Sequence, residues 1–150
     1  MSVHTIYANA AQQPYLVVTA GEVHCALPLS GVAEISRPPQ GDLPTSIVLR
    51  GREMRLFDLP TILGVDIAAR TRIIRLCLQH DREAALAVST VPGARLFDPE
   101  TFTPIRIAPG SGQTPYPDAI QTYGDILALL RAGGCVGEFA PASSENKGNN

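Results

Sequence analysis

The chain has 150 residues, 45% hydrophobic and 17% charged, with 12 Lys+Arg against 14 Asp+Glu. That length and composition suit one globular domain, or two small lobes around a shared core, and exclude a largely disordered chain. The balanced charge excludes the basic stripe of a nucleic-acid or anionic-membrane binder, and no apolar run approaches the ~20 residues of a membrane span.

Met1 to Gln13 is small, polar and unpatterned, so it is expected to be a loose leader. It lacks the basic stretch and apolar run of a signal peptide. "PYLVVTAGEVHCALPL" predicts a hairpin: Tyr15 to Thr19 is β-branched and aromatic, Ala20-Gly21-Glu22 supplies a turn, and Val23, Cys25 and Leu27 alternate with His24 and Ala26. Pro28 ends regular pairing. Val32 to Ile35 continues extended until Pro38-Pro39.

Ser46 to Leu49 and Met54 to Phe57 predict a second hairpin with Arg50 to Glu53 as its tip. Gly51 there supplies a conformation that other residues resist. Asp58 is placed to cap a short helix, "LPTIL", ended by Gly64. "RTRIIRLCLQHDREAALAV" predicts a third hairpin, turning through His80-Asp81-Arg82-Glu83. Ile74, Leu76 and Leu78 share one face of it, and Arg75, Cys77 and Gln79 the other.

Asp98-Pro99-Glu100 marks a turn or helix start that Pro104 keeps short. "APGSGQTPYP" is a Pro/Gly loop. "DILALLRAGG" fits a short helix with Asp125 as cap and Gly133 as stop, although "ILALL" also fits a buried strand. Residues 140–150 form a polar tail that is expected to be disordered. Short strands at regular spacing with turns between them predict an all-β barrel or sandwich.

Chemistry is sparse. His24 and Cys25 are strand neighbours that point to opposite faces and cannot share a metal, and the odd spacing of Cys77 and His80 separates them likewise. No CxxC or HxxxH pattern occurs, and His4 and Cys135 stand apart. Cys25 and Cys77 have apolar flanks and read as core residues. An odd set of distant cysteines fits a reducing cytoplasm better than a disulfide framework. No G-x-S-x-G elbow is present, and Gly110-Ser111-Gly112 lacks the lysine of a phosphate loop. Asp81 and Glu83 flank Arg82 as a solvated turn. No catalytic residue, metal site or cofactor is expected.

Four stretches together resemble the CheW-like domain, the adaptor module of bacterial chemosensory arrays. "YLVVTAGEVHCALPLSGVAEISRP" is similar to its opening strand pair and Val-Glu-Ile element. "VLRGREMRLFDLPTILG" is similar to its Leu-Arg-Gly hairpin and the helical turn that follows. "RIIRLCLQHDREAALAVSTV" resembles its central hairpin, and "GARLFDPETFTPI" the segment after that. The resemblance implies two small SH3-like five-stranded barrels sharing a core, with one or two short helices, over residues 14–139. It implies a non-catalytic cytoplasmic adaptor that docks on a chemoreceptor tip and on the regulatory domain of a histidine kinase. No nucleic-acid partner and no membrane insertion are expected.

On the resemblance, Arg50 and Gly51 lie in the partner-contact region, and Val32 and Glu34 beside the receptor groove. Composition alone reads Arg50 and Arg52 as a polar tip, Glu34 as a solvated face, and Val32, Leu86 and Val88 as core. The chain departs from the family pattern in a shorter segment between Ile35 and Ile47. It also has Val48, Arg55 and Ser89 where Asn, Pro and an acidic residue are common, and its C-terminal end is abbreviated. An incomplete barrel leaves edges for another subunit to cover, so a homo-oligomer is among the expectations. Two alternatives stay open: a degenerate adaptor that keeps one partner, and a small β-barrel ligand-binding domain or enzyme with an unrecognised pocket.

Overall fold

The computed structural model describes residues 12–109 and 117–137. Most of the leader, the whole polar tail and the centre of the Pro/Gly loop lie outside them. Gln13, expected in the leader, instead opens strand β1 (Gln13–Ala20). A two-residue turn at Gly21-Glu22 leads into β2 (Val23–Pro28), with Ala20 paired to Val23. Gly21 has a φ of +60° there, the sign that a tight hairpin needs at its first turn position. Ala20 therefore belongs to the strand and not to the turn.

A single 3-10 turn, Leu29–Gly31, carries the chain to β3 (Val32–Ser36). The second hairpin is β4 (Ser46–Leu49) and β5 (Arg52–Asp58), followed by α1 (Leu59–Leu63). Asp58 caps α1: its carboxylate accepts from Thr61 N at 3.3 Å and from Thr61 Oγ1 at 2.6 Å. Gly64 closes the helix in the left-handed region, as its position in the sequence predicts.

The third hairpin is β6 (Arg72–Cys77) and β7 (Glu83–Val88), joined through Gln79–Asp81. Strand β8 (Thr90–Phe97) and a 3-10 turn capped by Asp98 follow. Helix α2 (Pro117–Ala132) leads to β9 (Gly134–Val136). At 16 residues α2 exceeds the short helices expected. Ala119, Ile126 and Leu130 are buried and Tyr123 packs beside them, a 4-3-4 spacing that only a helix gathers on one face. "ILALL" is thus helical, and Asp125 sits inside the helix instead of capping it.

Among the described residues the strands form two sheets, ordered β8-β1-β2-β9 and β3-β6-β7-β5-β4. The protein is mostly β, as the patterning predicts. The second sheet has the five strands implied for a barrel and the first has four. Strands β5 and β7 run parallel, and every other pair is antiparallel.

Strand β7 is buried on both faces, which explains its unbroken apolar run. Ala84, Leu86 and Val88 join Leu16, Val18, Leu27, Ile74, Leu76, Ile126 and Leu130 in the core shared by the two sheets. Ala85 and Ala87 face the other way, into a smaller core with Met54, Ile73, Ile47, Leu49 and Leu56 inside the five-stranded sheet. The small alanines let that sheet curl tightly round its own interior. Cys25 lies in the shared core, but Cys77 is exposed at the end of β6, contrary to the core role its flanks suggest.

Candidate docking site

An ionic cap closes one end of the five-stranded sheet. Arg75 lies on the same face of β6 as Ile73, two residues along, so it continues the inner face of the sheet to its mouth. Its register partner on β3 is Glu34. Arg75 Nε donates to Glu34 Oε1 at 2.9 Å, and Arg75 Nη1 donates to Glu83 Oε2 at the start of β7. Arg52 Nη1 lies 2.9 Å from Glu83 Oε1, and Arg50 Nε donates to Glu34 Oε1 at 3.2 Å. The chain Arg50–Glu34–Arg75–Glu83–Arg52 thereby links β3, the β4–β5 hairpin, β6 and β7. Strands β3 and β4 are the two edges of the sheet, and Arg50 joins the tip of one to the other.

Burial grades the five side chains. Glu83 and Arg75 are 13% and 18% exposed, whereas Arg52 and Arg50 are 67% and 71% exposed. These five side chains are three arginines and two glutamates. The hydrogen bond from Arg75 holds the Glu34 carboxyl below the ordinary range against a smaller desolvation effect, and Arg50 adds to it. The hydrogen bonds that Arg75 donates to Glu34 and then to Glu83 raise the guanidinium in return.

Strain collects at the same end. The tip is the two-residue turn Arg50-Gly51, with φ of +53° and +75°, the signs of a type I′ turn. The expected four-residue tip is therefore narrower, because Arg52 and Glu53 pair within β5. Left-handed backbone at a residue with a Cβ costs roughly 1–2 kcal/mol. His80 and Asp81, in the β6–β7 turn beside Cys77 and Glu83, share that conformation. They and Arg50 are the non-glycine residues of positive φ among the described residues.

Of the residues singled out from the sequence, the structure joins Glu34, Arg50 and Gly51 at the cap. Val32 points away from them. Its register partner is Leu76, and it packs on the shared core. A bulge between Val32 and Glu34 shifts the alternation, so Ile35, paired with Ile74, returns to the core-side face and stands 44% exposed at the sheet edge. Val48 is exposed on β4 near the tip.

Sequence reasoning missed Arg75, Glu83 and Arg52. Glu83 is not part of a solvated turn, and Arg52 is not an ordinary surface charge, because each is paired across the cap. The available signal was register: a lone arginine on the Ile73 face of β6 and a glutamate on the Ala85–Ala87 face of β7 must meet at the same end.

Depressions also lie elsewhere among the described residues. One of about 560 Å³ sits between residues 38–45 and the Asp58–Arg70 ion pair. Another of about 310 Å³ runs between α2 and Cys77–Gln79. Among the described residues no cluster of three or more His, Cys, Asp or Glu could hold a metal ion, and no helix is long and apolar enough to cross a membrane.

Two sheets around a shared core, one of them curled round an interior of its own and closed by a charged rim, define the class: a two-sheet, mostly-β protein with a curled half-barrel. The sequence matches the model of the CheW-like domain over residues 14–134, and the chain belongs to that family. Membership supports a scaffold or adaptor role in chemotaxis, and the family is non-catalytic. Among solved structures, the scaffolding protein TtCheW from Thermoanaerobacter tengcongensis shares the fold, with a TM-score of 0.51 at 20% identity over 61% of this chain and 70% of that one. No curated protein matches the sequence.

Proposed function

We propose that this protein is a chemosensory adaptor that couples a chemoreceptor cytoplasmic tip to the regulatory domain of a histidine kinase. It acts by binding alone, in the cytoplasm, without a cofactor. The observation that carries the reading is Arg50: a mostly exposed arginine on strained backbone, pinned through Glu34 to a half-buried Arg75. Strain of this kind persists where the surroundings enforce it and collects at functional sites. The outer nitrogens of Arg50 have no partner among the described residues, so its fork is free for an acidic group on a partner. Exposed Val48 and Ile35 supply apolar contact nearby.

Titration calorimetry with a cognate receptor signalling domain and, separately, a kinase regulatory domain tests the proposal. Arg50→Glu is expected to weaken at least one interaction tenfold or more while leaving the melting temperature close to wild type. Unchanged affinity for both partners removes the site, and absence of binding by the wild-type chain removes the function. If only one partner binds, the chain is the one-partner adaptor that its short segment between β3 and β4 also permits.

A further inference from the structure

We infer that Cys25 and Cys135 form a reversible oxidation site, an intramolecular disulfide across β2 and β9 made by exchange with a low-molecular-weight disulfide. The two cysteines are direct register partners in the antiparallel pair, flanked by His24 with Val136 and Ala26 with Gly134. The hydrogen bonding of β9 fixes what kind of pair this is. Cys135 N donates to Thr103 O at 2.8 Å, and Cys135 O accepts from Thr103 N at 3.1 Å, so both its backbone groups face away from β2. Cys25 and Cys135 are therefore a non-hydrogen-bonded antiparallel pair, the kind whose Cα atoms come closest, at about 4.5 Å. That separation lies at the short end of the range a disulfide spans, about 4.4–6.8 Å. Both side chains point to the shared core, Cys25 within it and Cys135 packed against it.

The two sulfurs have different access. Cys25 is fully buried, and burial together with the neighbouring Cys135 pushes its thiol up to about 12. Cys135 is partly exposed, so it is the sulfur an external disulfide reaches first. In the first step the Cys135 thiolate attacks one sulfur of the reagent and expels the other as a thiolate. In the second, Cys25 gives its proton to a departing thiolate and its sulfur displaces the remaining reagent thiol. Two protein thiols become one disulfide, and the reagent takes up the two electrons and two protons as two free thiols.

The cross-link would hold more than a three-residue strand. Gly133 joins β9 directly to α2, and a Cβ there would fall 1.7 Å from Ala26 O, so the helix end stands against the β2 backbone. Oxidation would then fix α2, β9 and β2 as one unit. Cys77, on the surface at the far end of β6, takes no part.

The test equilibrates the full chain with oxidised and reduced glutathione and counts thiols after denaturation. The three thiols are expected to fall to one. Peptide mapping should find a Cys25–Cys135 cross-link, and only Cys77 should alkylate. Cys77→Ser should fall from two thiols to none, and Cys135→Ser should form no intramolecular disulfide. The oxidised chain should melt roughly 5–15 °C above the reduced chain, reversed by dithiothreitol. Three surviving thiols, or a disulfide that contains Cys77, would overturn the assignment, and an unchanged melting temperature would overturn the fixing of β9.

Discussion

Replacing Asp58 by alanine removes two supports at once, and the structure separates them. The first is the cap of α1, where the carboxylate accepts from Thr61 N and Thr61 Oγ1; losing a cap costs about 1 kcal/mol. The second is the fork with Arg70, whose Nε donates to Oδ1 at 2.9 Å and whose Nη2 donates to Oδ2 at 2.5 Å. The two side chains are 22% and 29% exposed, so the pair belongs at the upper end of the range for partly solvated pairs, about 1 kcal/mol. Asp58→Ala should therefore cost about 2 kcal/mol, and Asp58→Asn, which keeps an acceptor for the helix, about 1 kcal/mol. In urea unfolding with a slope of about 2 kcal/mol/M, the midpoints fall by about 1 M and 0.5 M. A double-mutant cycle with Arg70→Ala should give a coupling of about 1 kcal/mol.

The same carboxylate gives a dependence on pH. Burial pushes the Asp58 carboxyl up, but hydrogen bonds from Arg70 and Thr61 outweigh it and leave the group below the ordinary aspartate range. The unfolded chain therefore binds its proton first as pH falls. The contribution is complete above the ordinary aspartate range and is lost as pH drops through the lower, folded value. Asp58→Asn should flatten that part of the profile. An Asp58→Asn variant as stable as wild type at pH 7, or a coupling to Arg70 near zero, would refute the reasoning.

Three further outcomes are expected. Arg75→Ala should lower the urea midpoint more than Arg50→Ala does, because Arg75 bridges two carboxylates at the mouth of the sheet while Arg50 sits in solvent; equal shifts would contradict the graded cap. Arg50→Asn should stabilise the hairpin by about 0.5 kcal/mol, since Asn tolerates left-handed backbone better, while weakening partner binding in calorimetry. Gly133→Ala should destabilise by about 3 kcal/mol or more in thermal unfolding, because the clash at Ala26 O is with backbone that cannot step aside.

Much of the fold is legible in the sequence because its signals are local. Alternation around Gly21 and Gly51 gives the hairpins, and Asp58 and Gly64 mark the two ends of α1. Each of these depends on side chains within a turn or two of the backbone they control. Glu34, Arg50 and Gly51 are identifiable as a group only through the family resemblance, since strand neighbours and a charged tip have no local reason to meet. The length of α2 was hidden because its buried stripe begins before the apolar run "ILALL" and is visible only once Ala119 is counted with it.

Sequence by itself determined the three hairpins β1–β2, β4–β5 and β6–β7 and the absence of a recognisable catalytic motif, because these follow from period-two patterning and local chemistry; β8 and β9 became visible only in the tertiary structure. Tertiary structure alone decided that Arg75 and Glu83 meet Glu34, that Arg52 is paired, and that Cys135 stands opposite Cys25. Those contacts depend on strand order and register between segments far apart in the chain. A shift of one residue would turn every one of these side chains to the opposite face.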